Sequence, residues 1–193
     1  MAINRLNPDY PDAGLVQMMP TSVAVGSGSS TVNGNGQVSF SGSSSVSLNG
    51  VFSSTYAHYF VIIDYSANGG GSTLRLRASS TDNSNANFII RGWSVPDTAG
   101  GQYPIQLNSQ TSMTLGTVST IANFGTRTTM HIMSPQENKA TGIYVDSAYS
   151  TSNSSGEGYF YRGTHRENYQ ADGFTLINPA NMTGALSVYG YRN

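Results

Sequence analysis

A chain of 193 residues has the length of one domain, or of one domain with an appended arm. Only 10% of its residues are charged, against roughly 25% in an average globular chain, and its net charge is −1. Solubility therefore falls to Ser, Thr, Asn and Gly. One lysine, Lys139, and a pI near 6.2 exclude the basic field that dominates nucleic-acid affinity. No apolar run is long enough to cross a bilayer as a helix, and the first residues, Met1 to Pro8, carry no apolar leader. The expectation is a chain made in the cytoplasm that meets neither nucleic acid nor membrane. Twelve Tyr, seven Phe and a low net charge argue for a packed fold over disorder, and the absence of Cys removes disulfides and thiolate nucleophiles.

Residues 1–20 hold Pro8, Pro11 and Pro20, with Tyr10, Leu15, Val16, Met18 and Met19 between them in neither helical nor strand period. This predicts an extended N-terminal arm whose apolar residues anchor it to its own domain, to a neighbouring subunit or to a larger assembly. The rest, 21–193, reads as one domain. Val23/Val25, Val38/Phe40 and Val46/Leu48 sit two apart, as one face of a strand requires, and the Asn-Gly pairs at 33–34, 35–36 and 49–50 supply turn residues. Only 26–30, Gly-Ser-Gly-Ser-Ser, leaves a flexible linker open.

The unbroken run 59–65 predicts a central strand covered on both faces. Residues 73–78 alternate, with Leu74, Leu76 and Ala78 inward and Arg75 and Arg77 outward, and a hairpin through Gly69, Gly70 and Gly71 is expected to join the two. Further strands are expected at 88–93, 128–133, 142–146, 158–162, 173–177 and 185–191, with weaker candidates at 104–107 and 113–118, and one helical turn fits 119–123. About a dozen short strands with turn signals between them predict an all-β antiparallel sandwich, jelly-roll-like in its layout.

Reactive residues are present without a pattern that commits them. His58, His131 and His165 are scattered, which gives zinc no support, and no Gly-x-Ser-x-Gly opens a helix. His131 faces outward on its strand. Arg162 and Arg166 suit a phosphate or carboxylate, and His165, Arg166, Glu167 and Asp172 make the densest ionisable cluster, but a solvated loop explains them more simply. Asp64, Asp146 and Glu157 offer carboxylates that a glycosidase would have to bring across a cleft. Residues 82–87 read as an Asx turn before a calcium loop. No cofactor, metal or catalytic residue is assigned, and the chain is read as a non-enzyme. Trp93, Tyr144, Tyr149, Tyr159 and Tyr161 are candidates for stacking on a sugar, with Trp93 the first to test.

Three segments carry a family likeness. Residues 55–63 (Thr-Tyr-Ala-His-Tyr-Phe-Val-Ile-Ile), the Leu-Arg-Leu-Arg-Ala of 74–78 with Thr81, Asp82, Asn83 and Ser84, and the ending 172–177 with 184–192 resemble virion structural proteins of tailed phages, of the marine and cyanobacterial type, over roughly residues 20–193. The resemblance implies a β-sandwich on the virion exterior, assembled in the host cytoplasm as a homotrimer. It implies no enzymatic site. The first expectation is a capsid decoration (cement) protein that binds the major capsid protein through its arm. The alternatives are a tail-fibre or tail-tip adsorption protein, among tail components, recognising a host glycan, and a carbohydrate-binding module.

Overall fold

Period-two burial runs through nearly every strand. In His58–Ala67 the side chains of Tyr59, Val61, Ile63, Tyr65 and Ala67 are buried while their neighbours reach outward, and Thr126–Met133 repeats the pattern with Thr128, Met130 and Ile132 inside. A computed structural model describes residues 14–67, 69–95, 101–119, 125–152 and 155–191. The described strands are β1 (Val16–Gln17), β2 (Ser22–Val25), β3 (Ser29–Val32), β4 (Val38–Asn49), β5 (His58–Ala67), β6 (Gly71–Ala78), β7 (Thr81–Asp82), β8 (Phe88–Val95), β9 (Tyr103–Gln110), β10 (Met113–Thr117), β11 (Thr126–Met133), β12 (Thr141–Ser152), β13 (Ser155–His165) and β14 (Gly173–Tyr191). All pair antiparallel, and no helix occurs among the described residues. The expected all-β antiparallel sandwich is therefore observed.

The strand order is β10-β6-β14-β5-β11-β12-β13-β8-β9, with β4 on the second edge of β14 and β2 and β3 on the far edge of β4. Two long strands turn this one hydrogen-bonded surface into two layers. Residues 173–177 of β14 lie between β6 and β4, whereas 182–191 lie beside β5. Between them Asn178, Pro179, Ala180 and Asn181 form an irregularity. The Asn178 carboxamide is buried there, donating to Ser72 Oγ at 3.1 Å and accepting the Ala180 N–H at 2.8 Å. Asn181 takes a left-handed φ of 55°, and Gly42 does the same on β4 at 65°. Such a bend lets a strand leave one layer and enter the other. The layers meet where β10 crosses the inner face of β13, and the Thr117 and Tyr159 hydroxyls are hydrogen-bonded at 3.0 Å. Between them lie Leu48, Tyr59, Ile63, Leu74, Phe88 and Phe174, all fully buried.

Several sequence expectations change here. The run 59–65 is central, between β14 and β11, but only one of its faces is covered: Asp64 is exposed and Phe60 and Ile62 are half-buried on the outer side. The 59–65 and 73–78 strands do not form a hairpin, because β14 lies between them. Arg77 points into the protein, 6% exposed, and reaches Thr175 Oγ1 at 2.8 Å and Asp82 at 3.4 Å. Residues 26–28 are a pinned turn and 29–30 already belong to β3: the Gly26 N–H donates to the Ser45 carbonyl and the Ser27 hydroxyl to the Gly42 carbonyl, at 3.0 and 2.9 Å. The single helical turn expected at 119–123 falls mostly outside the described residues.

Of the arm, residues 14–20 are described, and Tyr10 lies outside the described residues. The segment docks along its own sheet: Val16 and Gln17 pair with Gly190 and Tyr189, and the Met18 N–H donates to the Val188 carbonyl at 2.8 Å. Met18 packs against the core and Pro20 is buried, while Leu15, Val16 and Met19 are 58%, 39% and 53% exposed.

Candidate aromatic and arginine face

The larger layer has a buried inner face and an outer face that gathers most of the chain's unusual surface residues. Antiparallel register sets one row across seven strands: Tyr189, Phe60, His131, Tyr144, Arg162, Arg91 and Gln106 lie opposite one another in turn. The next row along the strands is Ser187, Ile62, Thr129, Asp146, Phe160, Trp93 and Pro104. Facing side chains within a row touch, since same-face cross-strand neighbours stand about 5 Å apart. The Phe60 and His131 rings are 4.9 Å apart, and the Arg162 guanidinium lies 4.9 Å above the Tyr144 ring.

Between Trp93 and His131 the two rows enclose an open depression of about 550 Å³. Its apolar floor and walls come from Trp93, Tyr144 and Phe160, which are 52%, 42% and 43% exposed. Polar groups ring it: Thr129, His131, Asp146, Arg91 and Arg162. Arg91 is fixed in place by donating to the Ile90 carbonyl at 2.9 Å, the Leu107 carbonyl at 3.1 Å and Asn108 Oδ1 at 2.9 Å. None of these acceptors carries charge. Arg162, opposite Arg91 in the register, turns its guanidinium the other way, over Tyr144 of β12, and neither arginine makes an ion pair among the described residues. The backbone permits the close β8–β13 pairing because residue 92 is Gly: a Cβ there would collide with the Phe160 carbonyl oxygen.

The sugar-stacking candidates divide by face. Trp93 and Tyr144 are on the outer side. Tyr159 and Tyr161 are buried, and Tyr149 packs parallel to Tyr159 with ring centres 6.0 Å apart, all on the inner side. Burial raises the phenol pKa of Tyr149, Tyr159 and Tyr161, and the nearby Tyr159 and Glu157 add to it for Tyr149 and Tyr161. These three are core residues. Phe60, Phe160 and Arg91 were not singled out by sequence. The alternation of Arg91 with Trp93, and of Phe160 with Arg162, places each pair on one side of its strand, but only the register brings the strands together.

The other reactive groups do not converge. His165 is buried, with neither ring nitrogen hydrogen-bonded. It sits edge-on to Phe88 and 3.9 Å from Glu167, and burial holds its pKa below the ordinary value. Glu167 accepts from Asn83 Nδ2 at 2.8 Å and Asn85 Nδ2 at 2.9 Å, and these bonds lower its pKa. Asn83 Oδ1 in turn accepts the Asn85 N–H at 2.9 Å, which is the Asx turn expected over 82–87. Asp172 accepts the Ser79 N–H at 2.8 Å. Among the carboxylates, Asp64 is paired with Arg127 at 2.7 Å, Glu157 accepts from the Tyr159 hydroxyl at 2.8 Å on the inner side, and Asp146 stands on the outer face. Arg162 and Arg166 are not partners either, because Arg166 lies past the end of β13. No cluster of three His, Asp or Glu placed to hold a metal occurs among the described residues.

No family model and no curated protein matches the chain. Among solved structures, the binding domain of botulinum neurotoxin serotype G aligns over 93% of this chain and 44% of its own, with 12% identity and a TM-score of 0.28. The chain spans less than half the length of that structure, and a likeness at this level carries no argument about its role.

Proposed function

We propose that this chain is a non-enzymatic structural protein of a tailed-phage virion, in the first place a capsid decoration protein that attaches to the major capsid protein through its N-terminal arm and works as a homotrimer on the particle exterior. The observation that carries the reading is the apolar edge at β1. Leu15, Val16 and Met19 are held outward on a segment whose backbone is already anchored to β14. Exposed apolar side chains on a fixed edge suit docking to a second surface. The likeness of residues 20–193 to virion proteins supplies the particle. The dispersed placement of His165, Glu167, Asp64 and Glu157 favours binding over turnover, since acid–base chemistry needs groups within hydrogen-bond reach of one another.

Reconstruction of particles with and without the chain tests the reading, with density on the head surface expected; density confined to the tail would overturn the decoration role. A Leu15→Asn, Met19→Asn double variant is expected to keep the sandwich and lose particle attachment. A second reading, host adsorption through a tail component, is favoured by one observation, the aromatic and arginine face, which lies in the same layer as β1 but at least three strands away from it.

A further inference from the structure

We infer that the outer face of the β11–β12–β13–β8 sheet is a binding site for an acidic oligosaccharide, with Arg162 taking the carboxylate of a uronic-type pyranose and Trp93 and Phe160 stacking on the sugar faces. The inference deepens the adsorption reading. It holds for this surface whether the chain sits on head or tail.

The first argument is electrostatic. Arg162 and Arg91 are direct cross-strand partners, and like charges placed opposite each other on a sheet destabilise it. Arg77 has Asp82, Arg127 has Asp64 and Lys139 has Glu137, whereas Arg91 and Arg162, like the half-buried Arg75, have no ion pair among the described residues. The direct contacts of Arg162 and Arg91 are neutral, Tyr144 beneath one guanidinium and three amide oxygens around the other, and the Asp146 carboxylate in the same depression pairs with neither. An exposed planar fork such as Arg162, seated on an aromatic ring and lacking an ion pair, matches a carboxylate from outside.

The second argument is shape. A free anion needs only the arginines, yet they open onto Trp93, Phe160 and Tyr144, three exposed rings whose faces are apolar. Exposed aromatics next to hydroxyl, imidazole and carboxylate groups fit a ligand that has both apolar faces and a rim of hydroxyls. Thr129, His131 and Asp146 provide that rim. At about 550 Å³ the depression is in the size range of ligand sites and is open at the top, as a chain of sugars requires. A nucleic acid is the poorer fit, because binding it would require a wide positive field and the chain's net charge is −1.

Trp93 is the chain's one tryptophan, so its emission reports on this site alone. The experiment titrates the full chain with a linear hexuronic-acid hexasaccharide and, separately, with a neutral glucan hexasaccharide. A saturable emission change with the acidic ligand is expected, with at least tenfold weaker binding of the neutral one and weaker acidic binding as salt rises. Arg162→Gln is expected to lower affinity for the acidic ligand tenfold or more without moving the neutral one, and Arg162→Lys to fall between. Trp93→Ala, followed by calorimetry, is expected to weaken both. Equal affinity for the two ligands, no saturable change with either, or an Arg162→Gln variant that binds like the parent would overturn the inference. An emission change that follows protein concentration with no sugar present would also overturn it, by showing that a second copy covers the face. Circular dichroism of each variant separates loss of binding from loss of fold. Particle attachment through Leu15 and Met19 is a separate readout. Those residues flank β1, three strand spacings or roughly 14 Å from β11, the nearest strand of the site, and six spacings from β8, so either function can fail alone.

Discussion

Arg77 and Arg162 are the same residue type on two regions of one fold, and they are treated in opposite ways. Arg77 is almost fully buried where β6, β7 and β14 meet, and its charge is answered internally: Thr175 accepts at 2.8 Å, the Ser80 carbonyl accepts a second N–H, and Asp82 lies at 3.4 Å while itself accepting from the Thr175 hydroxyl at 2.6 Å. Arg162 is exposed and meets only the face of a tyrosine. A buried charge survives only when it is paired and hydrogen-bonded, so the first arginine belongs to the architecture. An exposed arginine without an acid, as Arg162 is, adds little to the fold, which leaves it free to serve something outside.

The comparison can be broken most forcefully at Arg77. Arg77→Ala leaves Asp82 facing a cavity and is expected to cost about 3 kcal/mol or more, read as a shift in the urea midpoint at unchanged slope. A variant with parental stability would mean that the charge is not buried in solution. Next in size is Gly92→Val. It forces β8 away from β13, with an expected loss of about 2 kcal/mol of the kind that overpacking brings, and it should also disturb Trp93 emission because residue 92 lies under the site.

A smaller, pH-dependent effect is expected from His165. Burial holds its pKa below the ordinary 6.5, so the folded chain resists a proton that the unfolded chain accepts. Stability is then complete above about pH 6.5, falls as pH drops through that value, and stops falling below the depressed folded pKa. Melting curves between pH 7.5 and about pH 5 check this. His165→Leu should flatten the dependence, and a slope unchanged in that variant would assign it to other groups. The smallest effect is reserved for the outer face. Arg162→Gln should change stability by no more than about 0.5 kcal/mol, and by relieving a like-charge pair should if anything raise it.

Alternation made the inward faces legible. Leu74 and Leu76, or Met130 and Ile132, declare their side of the strand by spacing alone, and all are buried. Arg77 breaks that pattern because its partners come from β7 and from Thr175, nearly a hundred positions away in the chain, and no local rule carries that information. The same limit explains β4 and β14. Asn178, Pro179 and Asn181 have turn chemistry, so the segments on either side of them read as separate strands, yet the chain uses these residues as a bend inside one. Trp93 was visible as an unusual residue. Its neighbours Phe160 and Arg162 became neighbours only through the β8–β13 register, which depends on bonds spread across the whole sheet. At the arm, the apolar residues signalled docking, but pairing of Val16 with Gly190 lies beyond what spacing can specify.

The placement of β14 has a consequence for how the protein is made. This strand joins β6, β4, β5 and β1, and it is the last of the described strands in chain order. Earlier segments can form local pairs such as β11 with β12, but without residues 173–191 the strands fall into three groups with no common member, β2–β3–β4, β6–β7–β10 and β5–β11–β12–β13–β8–β9. Assembly of the sandwich therefore waits on its most distant contacts, a topology that folds slowly because wide loops must close before they gain anything. During that interval the edges of β4, β5 and β6 that β14 will cover stand open. A nascent chain is most exposed to mispairing at that stage, and its sparse charge gives those edges little protection.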